Sequence, residues 1–258
     1  MKDLTYMTAR ATEVRQFWDN RQTHVVVGYG EVGKAIGRVL EDGGADPVAI
    51  HDPRLDHFCL PARGEVVHIC FPYDDSFVTR VKALTNASNL VIVHSTVLPG
   101  TCDKFGWVHS PVNGKHPNLY GDIKRFVKWF GGGRSAEAGA IFRNAGLEVL
   151  CLPRALTCEL AKVLDTTRYG WEIMWHKEAA RLCERYGEDW DTVLTEWTRT
   201  YNDGYAHYDD ERSGLTYRRS TLFPLPGPIG GHCVIPNLDL LPDDFVPAAV
   251  IRAQNDTY

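Results

Sequence analysis

Three groups of residues in this chain carry chemistry. The first is Gly28-Tyr29-Gly30-Glu31-Val32-Gly33, followed 19 residues after Gly33 by Asp52. Glycines at this spacing allow a tight turn and a close approach of a diphosphate to the backbone. Where such a turn opens a helix, free N–H groups and the positive end of the helix dipole face the phosphates. A carboxylate ending the next strand accepts hydrogen bonds from ribose hydroxyls and repels a 2′-phosphate, so these residues predict NAD over NADP. Arg54, two residues beyond Asp52, partly reverses that preference. The second group is Gly230-Gly231-His232-Cys233, where paired glycines let the backbone approach a ligand and leave the thiol accessible. The third, His109-Ser110-Pro111-Val112-Asn113-Gly114-Lys115-His116-Pro117-Asn118, holds two His, a Lys and two Asn, which suit a phosphate or carboxylate. Its plainer reading is a polar surface loop.

These groups need elements to hold them. Apolar, β-branched runs at 24–27, 47–50, 65–71 and 90–94 read as strands, with weaker ones at 126–130, interrupted by Lys128, and at 147–150. Helical spacing follows the glycine turn over 34–41 and recurs over 75–84 and 136–145. Strands alternating with helices imply βαβ units, and continuous rather than alternating apolar runs suit strands covered on both faces. Residues 1–20 read as an extra helix. After Pro153 the texture changes: 157–186 reads as one long helix and 189–201 as a second. The stretch 224–233 is too rich in Gly and Pro for either element. The expected fold is α/β, a Rossmann-type parallel sheet over 1–152 joined to an all-helical dimerisation and catalytic domain over 153–258.

With 258 residues, 44% of them hydrophobic and 24% charged, the chain can build a true core. A net charge of −5 offers no footprint for nucleic acid, and no apolar run is long enough for a membrane span. Seven scattered cysteines without a C-x-x-C pair argue against a disulfide framework or a zinc ribbon, and the expected compartment is the cytoplasm. No His, Cys or Asp set has metal spacing, so no metal is expected.

Gly227-Pro228-Ile229-Gly230-Gly231-His232-Cys233, with Ser95-Thr96-Val97-Leu98-Pro99-Gly100-Thr101 and Glu159-Leu160-Ala161-Lys162, resembles the UDP-glucose/GDP-mannose dehydrogenase family. The likeness is nearest to the branch that oxidises UDP-N-acetylmannosamine. With the glycine turn, four motifs in family order span residues 24 to 240. The resemblance implies a four-electron oxidation of a sugar primary alcohol to a carboxylate with two NAD. Cys233 is then the nucleophile, forming a thiohemiacetal and a thioester, which requires an exposed thiol of lowered pKa. Lys162 becomes the oxyanion stabiliser or base. Ser95 and Thr96 lie beside the nicotinamide, and Phe71-Pro72 forms the turn over the cofactor.

The chain also departs from that pattern. Thr166 stands where the family has asparagine, Asn237 where it has aspartate, and Val112 where it has glutamate; the cysteine loop is one glycine short. Only 25 residues follow Cys233, so the family's C-terminal nucleotide-sugar domain is expected to be missing. The expected catalytic set is Cys233, Lys162, Thr96, Thr166 and Asn237; the expected substrate contacts are His109, Ser110, Asn113, Lys115, His116, Gly231 and His232. Three readings stand side by side. One is a Cys233-dependent oxidation of a phosphorylated, nucleotide-linked or acidic sugar. Another is a two-electron dehydrogenase of the β-hydroxyacid or 6-phosphogluconate type, with Lys162 as acid/base. The last is a dinucleotide-binding protein without turnover. Cys233 as a buried structural thiol and Lys162 as a solvated helix lysine are the plainer alternatives. A homodimer through 157–186 is expected, to cover an aromatic helix.

Overall fold

The computed structural model describes residues 23–45, 48–62, 65–207, 211–231 and 233–258. The helix expected over 1–20, and His232, lie outside the described residues. The chain divides into two compact units, Met1–Lys162 and Val163–Tyr258.

In the first unit β1 (His24–Val27), β2 (Val48–Asp52), β3 (His57–Phe58), β4 (Val66–Ile69), β5 (Leu90–Val93), β6 (Val108–His109), β7 (Lys128–Gly131) and β8 (Val149–Leu152) form one sheet. Its order is β3-β2-β1-β4-β5-β6-β7-β8. Only the β2–β3 and β6–β7 pairs are antiparallel. The strand order reverses beside β1, where the chain passes to β4 on the opposite side, and in such sheets that switch point opens a crevice at the carboxyl ends.

The period-two pleat sorts the side chains into two cores. Val26, Val66, Leu90, Ile92 and Val108 pack against α1 (Glu31–Asp42), α4 (Leu119–Ile123) and α5 (Ser135–Asn144). Val25, Val27, Val67, Ile69 and Val91 pack against α2 (Phe77–Leu84) and α3 (Thr101–Phe105). Both faces are therefore dry, which is why the strands read as continuous apolar runs. The sequence reading missed β3 and β6, whose two residues are too few to show a run, and the single-turn α3 and α4.

The longest helix, α6 (Ala155–Tyr186), starts in the first unit and continues into the second. The first turn of α6 packs with the sheet, where Ala155 joins the core of Val25, Val67 and Val91. The second unit continues through a π-helical segment (Asp191–Glu196), α7 (Trp197–Ala206), α8 (Glu211–Tyr217), α9 (Val234–Leu238) and α10 (Val246–Asn255), with no strand among the described residues. Its core joins Val163 and Met174 of α6 to Val234, Leu238, Ala248 and Ile251. No described helix is long and apolar enough to cross a membrane.

Candidate functional site

Gly28 leaves β1 with a φ of +86°, and a Cβ there would stand 2.9 Å from the Phe71 nitrogen. At Gly33 a Cβ would lie 2.0 Å from the Gly28 carbonyl oxygen, so only glycine lets α1 begin this close to the strand. Gly30 is the N-cap of α1 and supplies no side-chain cap, leaving the N–H groups of Glu31, Val32 and Gly33 directed at the turn. Beside it runs a cleft of about 450 Å³ lined by Val27, Gly28, His51, Asp52, Arg54, Phe71, Pro72 and Arg80. Asp52 ends β2 almost wholly buried. It accepts the Tyr29 N–H at 2.8 Å and three bonds from Arg54, through the backbone N–H, Nε and Nη2, at 3.0, 3.1 and 2.9 Å. The Arg54 guanidinium holds the Asp52 carboxyl down to about 2 although burial opposes it. The turn, the uncapped helix and the carboxylate at the end of β2 fit a dinucleotide: Gly28–Gly33 would hold the diphosphate and Asp52 the ribose.

The carboxyl ends of β4, β5 and β6 carry the next group. Ser95 Oγ donates to the Phe71 carbonyl at 2.7 Å, tying the β5 exit to the Phe71-Pro72 turn, with Thr96 half-buried beside it. His109 and Ser110, expected on a polar loop, are fully buried instead; His109 belongs to β6, and the exposed part of the segment is 113–118, with Asn113, Lys115 and His116 in it. His109 Nε2 lies 3.1 Å from the Ser95 carbonyl oxygen, which can only accept, so that nitrogen bears the proton. Burial depresses His109 to about 3. His116 Nδ1 meets Glu31 Oε2 at 2.5 Å, bringing the loop to the start of α1. Lys162 on α6 donates to the Val112 carbonyl at 2.9 Å, with Asn113 Oδ1 at 3.4 Å. Lysine and loop, 50 residues apart in sequence, therefore form one cluster.

In the second unit Gly231 and Cys233 are exposed, and Cys233 is the residue before α9. The loop ahead of it is tethered: Lys177 Nζ donates to the carbonyls of Leu225 and Gly227, and Asn255 Oδ1 accepts the Ile229 N–H. Thr166 and Asn237, the two departures from the family pattern, meet each other. Asn237 Nδ2 donates to Thr166 Oγ1 at 3.3 Å, both buried.

Sequence reasoning gave no role to Lys128, Lys177 or a row of imidazoles, and it named Glu159 only within the motif that ends at Lys162. The signal for Lys128 was present, a charge interrupting an apolar run. It is 4% exposed. Glu159, fully buried on α6, accepts the N–H groups of Gly100 and Cys102 at 2.6 and 2.8 Å and so fixes the start of α3. Among the described residues no three His, Cys, Asp or Glu stand together as a metal site.

No protein-family model and no curated protein matches the sequence. Solved structures match in fold. A UDP-D-ManNAc dehydrogenase from Pyrococcus horikoshii aligns over 91% of this chain and 68% of its own, at 21% identity and a TM-score of 0.71. The UDP-N-acetyl-mannosamine dehydrogenase from Staphylococcus aureus aligns over 92% and 68%, at 18% and 0.67. The 3-hydroxyisobutyrate dehydrogenase from Mycobacterium tuberculosis aligns over 90% and 93%, at 15% and 0.56.

Proposed function

We propose that this protein is a nicotinamide-dinucleotide-dependent dehydrogenase that oxidises an alcohol group of a phosphorylated, nucleotide-linked or acidic sugar. The observation that carries the reading is the Gly28–Gly33 turn, leading into a helix without a side-chain cap, beside the cleft that Gly28 and Asp52 line. The UDP-sugar dehydrogenases and the hydroxyacid dehydrogenase that share the fold support the reaction class. Bound NAD supplies the hydride acceptor, once per two-electron step. Both oxygens of Asp52 already accept bonds from Arg54, so the ribose diol takes its place by displacing that exposed guanidinium. The alcohol proton leaves to water; Lys162 donates a hydrogen bond to the oxygen while it is an alkoxide, and the charge on that oxygen collapses into C=O as the carbon gives up hydride. In the four-electron route that the family resemblance implies, Cys233 as thiolate then adds to the aldehyde carbon. The thiohemiacetal loses a second hydride to give a thioester, and water releases the carboxylate and regenerates the thiolate.

One observation favours a two-electron reaction with Lys162 as the acid/base. The neutral, mutually bonded Thr166–Asn237 pair stands where the resemblance has an asparagine and a carboxylate. A brief iodoacetamide pulse near pH 7, with and without NAD, separates the readings. Cys59 and Cys233 are the exposed cysteines, so Cys59 is the internal reference. Alkylation of Cys233 that outpaces Cys59 and responds to NAD supports the thiohemiacetal route. Rates alike at both, untouched by NAD, sink that route and leave the Lys162 reaction. Absence of NAD and NADP binding by calorimetry overturns both.

A further inference from the structure

Three successive backbone carbonyls in the first unit are held by two lysines. Lys128 Nζ, from the first residue of β7, donates to the Ser110 and Pro111 carbonyls, each at 2.7 Å. The next carbonyl, that of Val112, accepts from Lys162 at 2.9 Å. The Ser110 carbonyl also accepts from His94 Nδ1 at 3.0 Å. Sheet packing alone would be served better by an apolar side chain at the first position of β7, because burying an ammonium is costly. The cost is met by a geometry that a methionine or leucine could not supply: two donors turned onto adjacent carbonyls of one loop. The titratable groups facing Lys128 are Cys70 after β4, His68 in β4, His94 after β5, His109 in β6, and Cys158 and Lys162 on α6.

We propose that Lys128 is a positioning residue that fixes the Ser110 and Pro111 carbonyls, and through them the Val112 carbonyl against which Lys162 is aimed. The inference rests on the reading of Lys162 as the group that meets the substrate oxygen. Lys128 itself touches backbone, and its effect reaches the reaction through the loop. Burial brings Lys128 down to about 7, so the clamp loses its charge-assisted part as pH rises through neutrality, while a neutral amine keeps two N–H donors for the two carbonyls.

The test is a short acylation pulse with the N-hydroxysuccinimide ester of acetic acid at pH 8. The rate at every lysine is read by mass spectrometry in wild type, Lys128→Met and Lys128→Arg. In Lys128→Met, Lys162 acylates about fivefold faster, the effect of losing roughly one net hydrogen bond of hold. Lys128→Arg, which keeps two parallel donors, returns the rate to within about twofold of wild type. Lys177, buried in the second unit, stays slow throughout. An unchanged Lys162 overturns the proposal, and so does an equal rise at Lys177, which marks general loosening. If Lys128→Met does not fold, hydrogen exchange over 110–116 in wild type replaces it. Corrected for intrinsic chemistry, protection falls about fivefold between pH 6 and 8.5 as the clamp discharges, and constant protection overturns the proposal. Failure of the catalytic reading shows separately, as full turnover in Lys162→Met.

Discussion

Asp52 and Arg54 are two residues apart and form a self-contained pair, so the cleft offers a carboxylate and a guanidinium for the same ribose edge. Displaced by a ribose diol, Arg54 is free to meet a 2′-phosphate; left in place, it neutralises the acid that would repel one. Arg54→Ala is therefore expected to shift the NAD-to-NADP affinity ratio toward NAD by about tenfold, the worth of a charge-assisted hydrogen bond. Titration calorimetry with both cofactors checks it, and an unchanged ratio removes Arg54 from the site. Because the guanidinium holds Asp52 near 2, NAD affinity should not follow this carboxylate's titration between pH 5 and 9. Gly33 gives a harsher outcome. With a Cβ placed 2.0 Å from the Gly28 oxygen, Gly33→Ala must push α1 off β1. NAD binding in that variant should weaken at least tenfold, roughly the rate of loss that a shift of 1.4 kcal/mol produces.

At the scale of an element, α6 does two kinds of work. Its first turns belong to the sheet, where Glu159 satisfies two N–H groups at the start of α3. Glu159→Ala leaves the buried Cys102 N–H and the half-buried Gly100 N–H without this partner and should lower stability by about 2–3 kcal/mol in chemical unfolding. Farther along, Leu164, Trp171, Trp175, Leu182 and Tyr186 remain 41–74% exposed. Their steps of seven and four residues put them on one seam, the pattern by which helices pair. We expect a homodimer through this stripe. Trp171→Glu with Trp175→Glu should halve the mass seen by light scattering, and a monomeric wild type refutes the pairing.

Across the whole first unit, a diagonal row of imidazoles crosses the sheet. His24 Nδ1 stands 3.0 Å from His68 Nε2, His68 Nδ1 stands 3.1 Å from His94 Nε2, and His94 Nδ1 reaches the Ser110 carbonyl. A carbonyl can only accept, so each ring must carry its proton on Nδ1 and pass an acceptor Nε2 to its neighbour. Burial lowers His24 to about 4 and His68 and His94 well below 6.5. The folded pKa values lie below the unfolded ones, so the unfolded chain takes up protons that the folded sheet refuses. The contribution of the three rings is fully present above about pH 6.5 and is lost as pH drops toward 4. Three such rings give a slope approaching about 4 kcal/mol per pH unit. Urea unfolding at pH 7.5, 6.0 and 5.5 measures it, and His24→Val should reduce the slope by about 1.4 kcal/mol per unit. Stability that does not change over this range would mean the rings are charged or hydrated in the folded state.

The sequence by itself determined the α/β architecture and the glycine turn between β1 and α1. Both rest on short-range rules: β-branched runs for strands, glycines where φ is positive or space is absent, and an acid ending the next strand. It also drew attention to Lys162, Cys233, Thr166 and Asn237 by spacing within motifs. Only the tertiary structure decided which distant residues meet. That His109 and Ser110 are interior, that Thr166 bonds Asn237, and that Lys128 and Lys162 grip consecutive carbonyls depends on strand order and register. Along the chain His24, His68 and His94 stand within apolar runs and Lys128 interrupts one. Their meaning lies across the strands, at hydrogen-bond distances that no one-dimensional pattern records.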